Sequence, residues 1–136
     1  MAEGELPYSL KKFIFECIDS VEQLEILLML SADRTKAWSP ESLNLELRSN
    51  VNSVKKRLSR LRALGLIKSK SNSPEEYYFS PETPELEQSV AELSEVYATK
   101  KHRVLEMVFT PLKQVRFLAD AFRLSSKNPD DGENDG

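Results

Sequence analysis

The sequence predicts a mainly α protein carrying one small β-hairpin. Three observations lead there. Apolar residues recur at helical spacing through residues 10–18, 24–30 and 51–64. Gly65 then interrupts the pattern, and Leu66-Ile67-Lys68 and Tyr77-Tyr78-Phe79 bracket a polar stretch holding Asn72 and Pro74, which is the pattern of two short strands and a connecting loop. From Pro84 onward a second, longer apolar spacing runs through an otherwise charged segment.

Residues 1–8 carry no periodic signal. Ser9 to Ile18 places Leu10, Phe13, Ile14, Cys17 and Ile18 on one face of a helix. Asp19-Ser20 interrupts it. Ser20 is a helix cap, and Gln23 at the third helical position completes a capping box. The helix that follows holds Leu24, Ile26, Leu27, Leu28 and Leu30, is apolar almost all round, and is therefore expected at the centre of the core until it stops near Ala32-Asp33. Trp38 stands one place before the next cap, where a hydrophobic staple packs. Ser39-Pro40-Glu41 is a strong start signal: serine caps, proline tolerates the first helical position, and glutamate favours the positive helix end. Pro40 to Leu47 is a short helix with Leu43 and Leu47 facing inward. Arg48-Ser49-Asn50 makes a turn, and Asn50 caps a helix over Val51 to Leu64. Gly65 ends it in the left-handed conformation that glycine adopts at little cost. Ser69 to Glu76 is expected to be the loop of the hairpin, and Tyr77 and Tyr78 to alternate in and out. From Pro84 one long helix is expected, with Leu86, Val90, Leu93, Tyr97, Val104, Met107 and Val108 along its apolar side. That spacing is closer to a coiled-coil seam than to a broad core-facing stripe. Thr110-Pro111 breaks or restarts the helix, Pro111 to Leu124 is a further apolar helical segment, and the acidic tail is expected to be disordered. The expected organisation is thus residues 1–83 as one domain, 84–124 as a helical arm and 125–136 as tail.

Charge is distributed very unevenly along this chain. Residues 48–70 hold eight of the 19 Lys and Arg (48, 55, 56, 57, 60, 62, 68, 70) and none of the 22 Asp and Glu. The segment is therefore +8, while the rest, with 11 basic and 22 acidic residues, is −11. A solvated helix face usually mixes signs, so an acid-free basic helix reads as a surface for a polyanion.

The order helix, helix, turn, helix, strand, loop, strand over roughly Ser20 to Ser80 resembles the winged helix-turn-helix superfamily of small bacterial transcription regulators. The residues that carry the resemblance are IDSVEQLE at the first of these helices, Ser39-Pro40-Glu41, the run VKKRLSRLRALGLIK, and FLADAFRL at Phe117 to Leu124. Glu75 and Glu76 depart from it, since regulators of this superfamily usually carry basic residues at the wing. The resemblance implies a winged helix-turn-helix with a C-terminal helical extension and a DNA-binding regulator with helix 50–64 in the major groove. At about 100° per residue from Val51, Val54, Leu58 and Leu61 share with it an arc of about 80°. Asn52, Ser53, Lys56 and Arg60 point the other way, with Lys55 and Arg57 flanking the buried side. Early residues of such a helix reach base edges and flanking charges take phosphates. Ser49, Asn50, Asn52, Ser53, Lys55, Lys56, Arg57, Arg60, Lys68 and Lys70 are the candidate DNA-binding residues. Leu86, Val90, Leu93, Tyr97, Val104 and Val108 are the candidate dimerisation residues, with an intramolecular surface for Pro111 to Leu124 as the alternative use of the same seam. Expected partners are double-stranded DNA and a second copy of the chain. A winged-helix module that binds a protein instead of DNA is the competing reading, favoured by the pI of 5.3 and the acidic wing.

The other polar residues suggest little chemistry. One Cys excludes an internal disulfide and suits a reducing compartment, hence the cytoplasm. No basic-then-apolar leader opens the chain and no apolar run is of membrane-spanning length, so no membrane partner is expected. A single His far from a single Cys makes a poor zinc site, and four scattered glycines make no phosphate loop. Cys17 reads as a buried thiol and His102, within Lys100-Lys101-His102-Arg103, as a solvated position. No nucleophile, base and orienting group converge in the sequence, so neither an enzyme nor a cofactor is expected.

Overall fold

A computed structural model describes residues 6–109. It is mainly helical, with six helices and one antiparallel hairpin in the order α1 (Tyr8–Cys17), α2 (Val21–Ala32), α3 (Pro40–Leu47), α4 (Val51–Ala63), β1 (Ile67–Lys70), β2 (Ser73–Phe79), α5 (Pro84–Thr99) and α6 (Lys101–Phe109). The expected helix Pro111 to Leu124 and the tail lie outside the described residues. Among the described residues, no helix is long and apolar enough to cross a membrane.

The start signals act as their chemistry demands. Ser20 Oγ accepts from the Gln23 backbone N–H at 3.1 Å, Asn50 Oδ1 from that of Ser53 at 3.1 Å, and Thr83 Oγ1 from that of Leu86 at 3.1 Å. At α3 the box is reciprocal between Ser39 and Ser42. The box expected at α2 is not reciprocal: the Gln23 side chain is fully buried and donates to the Cys17 carbonyl. It thereby satisfies a carbonyl at the end of α1 that has no helical partner.

Gly65 closes α4 at φ 82°. Leu66 N–H donates to the Leu61 carbonyl at 3.1 Å and Gly65 N–H to the Arg62 carbonyl at 3.0 Å, which is the Schellman arrangement. A Cβ at Gly65 would stand 2.7 Å from Glu82 Oε1, but that is the movable end of an exposed side chain. The backbone conformation is the larger obstacle, so Gly65→Ala is expected to cost about 1–2 kcal/mol in a urea melt. No loss of stability would show that the chain can end α4 without the left-handed residue.

One core joins all six helices and the hairpin. Leu10 and Ile14 from α1, Leu24, Ile26, Leu27 and Leu30 from α2, Leu43 from α3, and Val54, Leu58 and Leu61 from α4 are all fully buried. Ile67 and Phe79, paired across the hairpin, close one end of this core. Val90 and Leu93 from α5 and Val104, Met107 and Val108 from α6 belong to the same cluster, and α5 and α6 pack on both α1 and α2. The core therefore extends across the boundary expected at Thr83.

Two expectations are corrected. The long helix expected from Pro84 breaks at Lys100 (φ −130°, ψ 49°). The break turns α6 back to bury Val104, Met107 and Val108. Burying three such side chains is worth about 1.5–3 kcal/mol each, more than the interrupted backbone hydrogen bonds at about 1 kcal/mol each. The hairpin is also longer than expected, because Ser73 to Glu76 is strand rather than loop. Register runs Ile67↔Phe79, Lys68↔Tyr78, Ser69↔Tyr77, then jumps to Lys70↔Ser73. Pro74, Glu75 and Glu76 fall in that irregularity, where a residue without an N–H is tolerated. On its other side β2 meets Trp38, whose N–H and carbonyl exchange hydrogen bonds with Tyr77 at 2.8 Å each. Tyr77 and Tyr78 are both half-buried, Tyr77 against the core and Tyr78 along a shallow surface cleft with Arg34 and Lys70.

Candidate nucleic-acid interface

The orientation of α4 is set by its apolar side. Val54, Leu58 and Leu61 are fully buried, as the helical wheel requires, so the opposite side must face outward. Asn52, Lys55, Lys56, Ser59, Arg60 and Arg62 are exposed, while Ser53 and Arg57 are half-buried.

That outward side is divided. On one flank, near about 180–240° from Val51, the polar residues are committed to acids from the α1–α2 junction. Glu22, in the first turn of α2, accepts from Ser49 Oγ, Ser53 Oγ and, at 3.0 Å, Arg57 Nε. Only 16% of the Glu22 side chain is exposed. Partial burial pushes its carboxyl up, but the donors Ser49, Ser53 and Arg57 outweigh burial and hold it below its ordinary value. Arg60 Nε meets Asp19 Oδ2 at 3.2 Å, and Arg60 also donates to the Glu16 carbonyl at 3.4 Å. On the other flank, about 20–140° from Val51, Arg62, Lys55, Ser59, Asn52 and Lys56 are exposed. Arg62, Lys55 and Lys56 form no ion pair with any described residue.

The remaining candidates sit at the two ends of α4. Arg48 holds the turn before it in the left-handed region (φ 54°), and Ser49 N–H donates to Asn44 Oδ1 at 2.9 Å. Asn50 is occupied as the cap. Lys68 is exposed on β1 and has no ion-pair partner among the described residues, while Lys70 Nζ stands 4.0 Å from Glu76 Oε1. The structure thus places Asn52, Lys55 and Lys56 together on an open surface, and ties Ser49, Ser53, Arg57 and Arg60 to acids.

The seam residues are placed differently from a pairing surface. Val90, Leu93, Val104 and Val108 are buried within the chain, and only Leu86 and Tyr97 are partly exposed. Most of the apolar area that a second copy would cover is already covered by α1, α2 and α6.

Sequence reasoning missed Asp19, Glu22 and the backbone carbonyl of Glu16 as partners of α4 and the turn before it. Their spacing of three places them around the start of α2, but their partners lie 27 to 44 residues away. The one usable signal was two acids, Asp19 and Glu22, at the start of the central helix and an acid-free basic helix elsewhere. Cys17 is buried, and burial, followed by Glu16, pushes its thiol up to about 11, which fits a packed side chain rather than a nucleophile. Among the described residues no group of His, Cys, Asp and Glu is placed to hold a metal ion. Comparisons with family models, curated proteins and solved structures give no match to this chain.

Proposed function

We propose that this chain is a winged-helix DNA-binding regulator that lays α4 in the major groove. The observation that carries this reading is the open flank of α4, where Lys55, Lys56 and Arg62 have no acidic partner among the described residues and Asn52 lies between them. Lysine and arginine so placed take phosphate, and an early asparagine suits a base edge. The order α2, α3, α4, hairpin supports the superfamily reading, with α2 to α4 as its three helices and β1–β2 as its wing. Trp38 adds a one-residue bridge to the outer side of β2 at Tyr77.

Protein recognition is the second reading. It is favoured by Leu45, which leaves 78% of its surface exposed on α3, and by Glu75 and Glu76 in the hairpin. Pairing of two copies is retained only in a form that does not use the buried seam.

Fluorescence anisotropy with a random duplex across a salt series tests the first reading. Three to five phosphate contacts predict that log K falls against log salt with a slope of roughly −3 to −5. No binding at low salt would remove DNA from the reading and leave the protein module.

A further inference from the structure

We infer that Glu22, with Asp19, divides α4 electrostatically: a duplex meets only the Lys55–Lys56–Arg62 flank, and Glu22 is a positioning residue that keeps Arg57 off the phosphates. The inference rests on the DNA-binding reading of α4 and deepens it.

The geometry is specific. One carboxylate receives two hydroxyls and a guanidinium, from Ser49, Ser53 and Arg57, and thereby ties both the turn before α4 and its first two turns to α2. The Arg57–Glu22 pair is partly buried, with side-chain exposures of 31% and 16%, so water screens it less than a surface pair. If Arg57 turned to a phosphate, Glu22 would lose its counter-charge while a polyanion approached. Each phosphate gain is thus offset by a like-charge penalty at the same place. Arg60 is held more loosely, since it and Asp19 are about half exposed (45% and 48%). Lys55, Lys56 and Arg62 bear no such penalty. A cation already neutralised within the protein displaces few counterions from DNA, so it contributes little to the salt slope.

The test is a charge cycle read by that slope, with random duplex as the probe and circular dichroism as the check on folding. Lys56→Gln serves as the internal standard and is expected to flatten the slope by about one unit. Arg57→Gln is expected to leave the slope unchanged. Glu22→Gln is expected to free Arg57, steepening the slope by about one unit and tightening binding roughly tenfold near 0.1 M salt. Arg57→Gln added to Glu22→Gln is expected to restore the wild-type slope. A purely structural Glu22 would change stability and leave the slope alone. Should Glu22→Gln fail to fold, Arg57→Gln set against Lys56→Gln decides alone. Equal flattening by those two variants, or an unchanged slope in folded Glu22→Gln, overturns this inference while wild-type binding stands. Absence of wild-type binding overturns the DNA-binding reading and this inference together.

Discussion

Replacing Lys55 and Lys56 together with glutamate is expected to lower duplex affinity at least about a hundredfold near 0.1 M salt, with an unchanged circular dichroism spectrum. Both side chains are exposed and neither has an ion-pair partner among the described residues. Their replacement therefore breaks nothing inside the protein. Each lost phosphate contact removes about tenfold at that salt, and reversal of sign adds repulsion. The variant loses the two cations nearest Asn52, so positioning over base edges is lost with the affinity. Anisotropy titration of wild type and variant checks this. Wild-type affinity in a folded Lys55→Glu, Lys56→Glu variant would remove α4 from the interface.

Truncating Leu93 to alanine is expected to destabilise the whole chain by about 2–5 kcal/mol in a single transition. Leu93 is fully buried in the same cluster as Leu24, Leu27 and Leu58. Its removal leaves a cavity between α5 and the helices that position α4. Two probes make the test stringent. Far-UV circular dichroism reports the helices, and fluorescence of the single tryptophan, Trp38, reports the bridge to β2. Coincident transitions that shift together would establish one cooperative unit. A loss below about 1 kcal/mol, or dichroism and fluorescence transitions that separate, would make α5 and α6 an independent arm.

What could be read from the sequence was local. Val54, Leu58 and Leu61 fix the rotation of α4 because helical periodicity needs no knowledge of the partner surface. Ser39-Pro40, Asn50 and Gly65 mark boundaries because caps act within four residues of the chain. What could not be read depends on distant groups. Lys100 breaks a helix because α6 gains more by packing on α1, and nothing in Thr99-Lys100-Lys101 announces that surface. The strand over Ser73 to Glu76 was hidden because Pro74 and two glutamates are poor strand formers, and an irregular register accommodates them. The division of α4 was hidden for the same reason. Arg57 and Lys56 are neighbours of like charge in sequence, and only Glu22, 35 residues earlier, makes them chemically different.

The bridge between Trp38 and Tyr77 has a consequence for how copies of the protein avoid one another. At Tyr77 the N–H and carbonyl of β2 both bond to Trp38, while Ser69 of β1 stands opposite on the other side. The outer side of β2 is met at that one residue, and among the described residues no strand lies beside the outer side of β1. An open strand edge invites another chain to add itself and begin aggregation. Along β1 the exposed positions are Lys68 and Lys70, and two lysines on a four-residue edge set like charges against each other in any approaching copy. Lys68 and Lys70, outside the flank of α4 proposed for the duplex, thus act as gatekeepers of the hairpin edge.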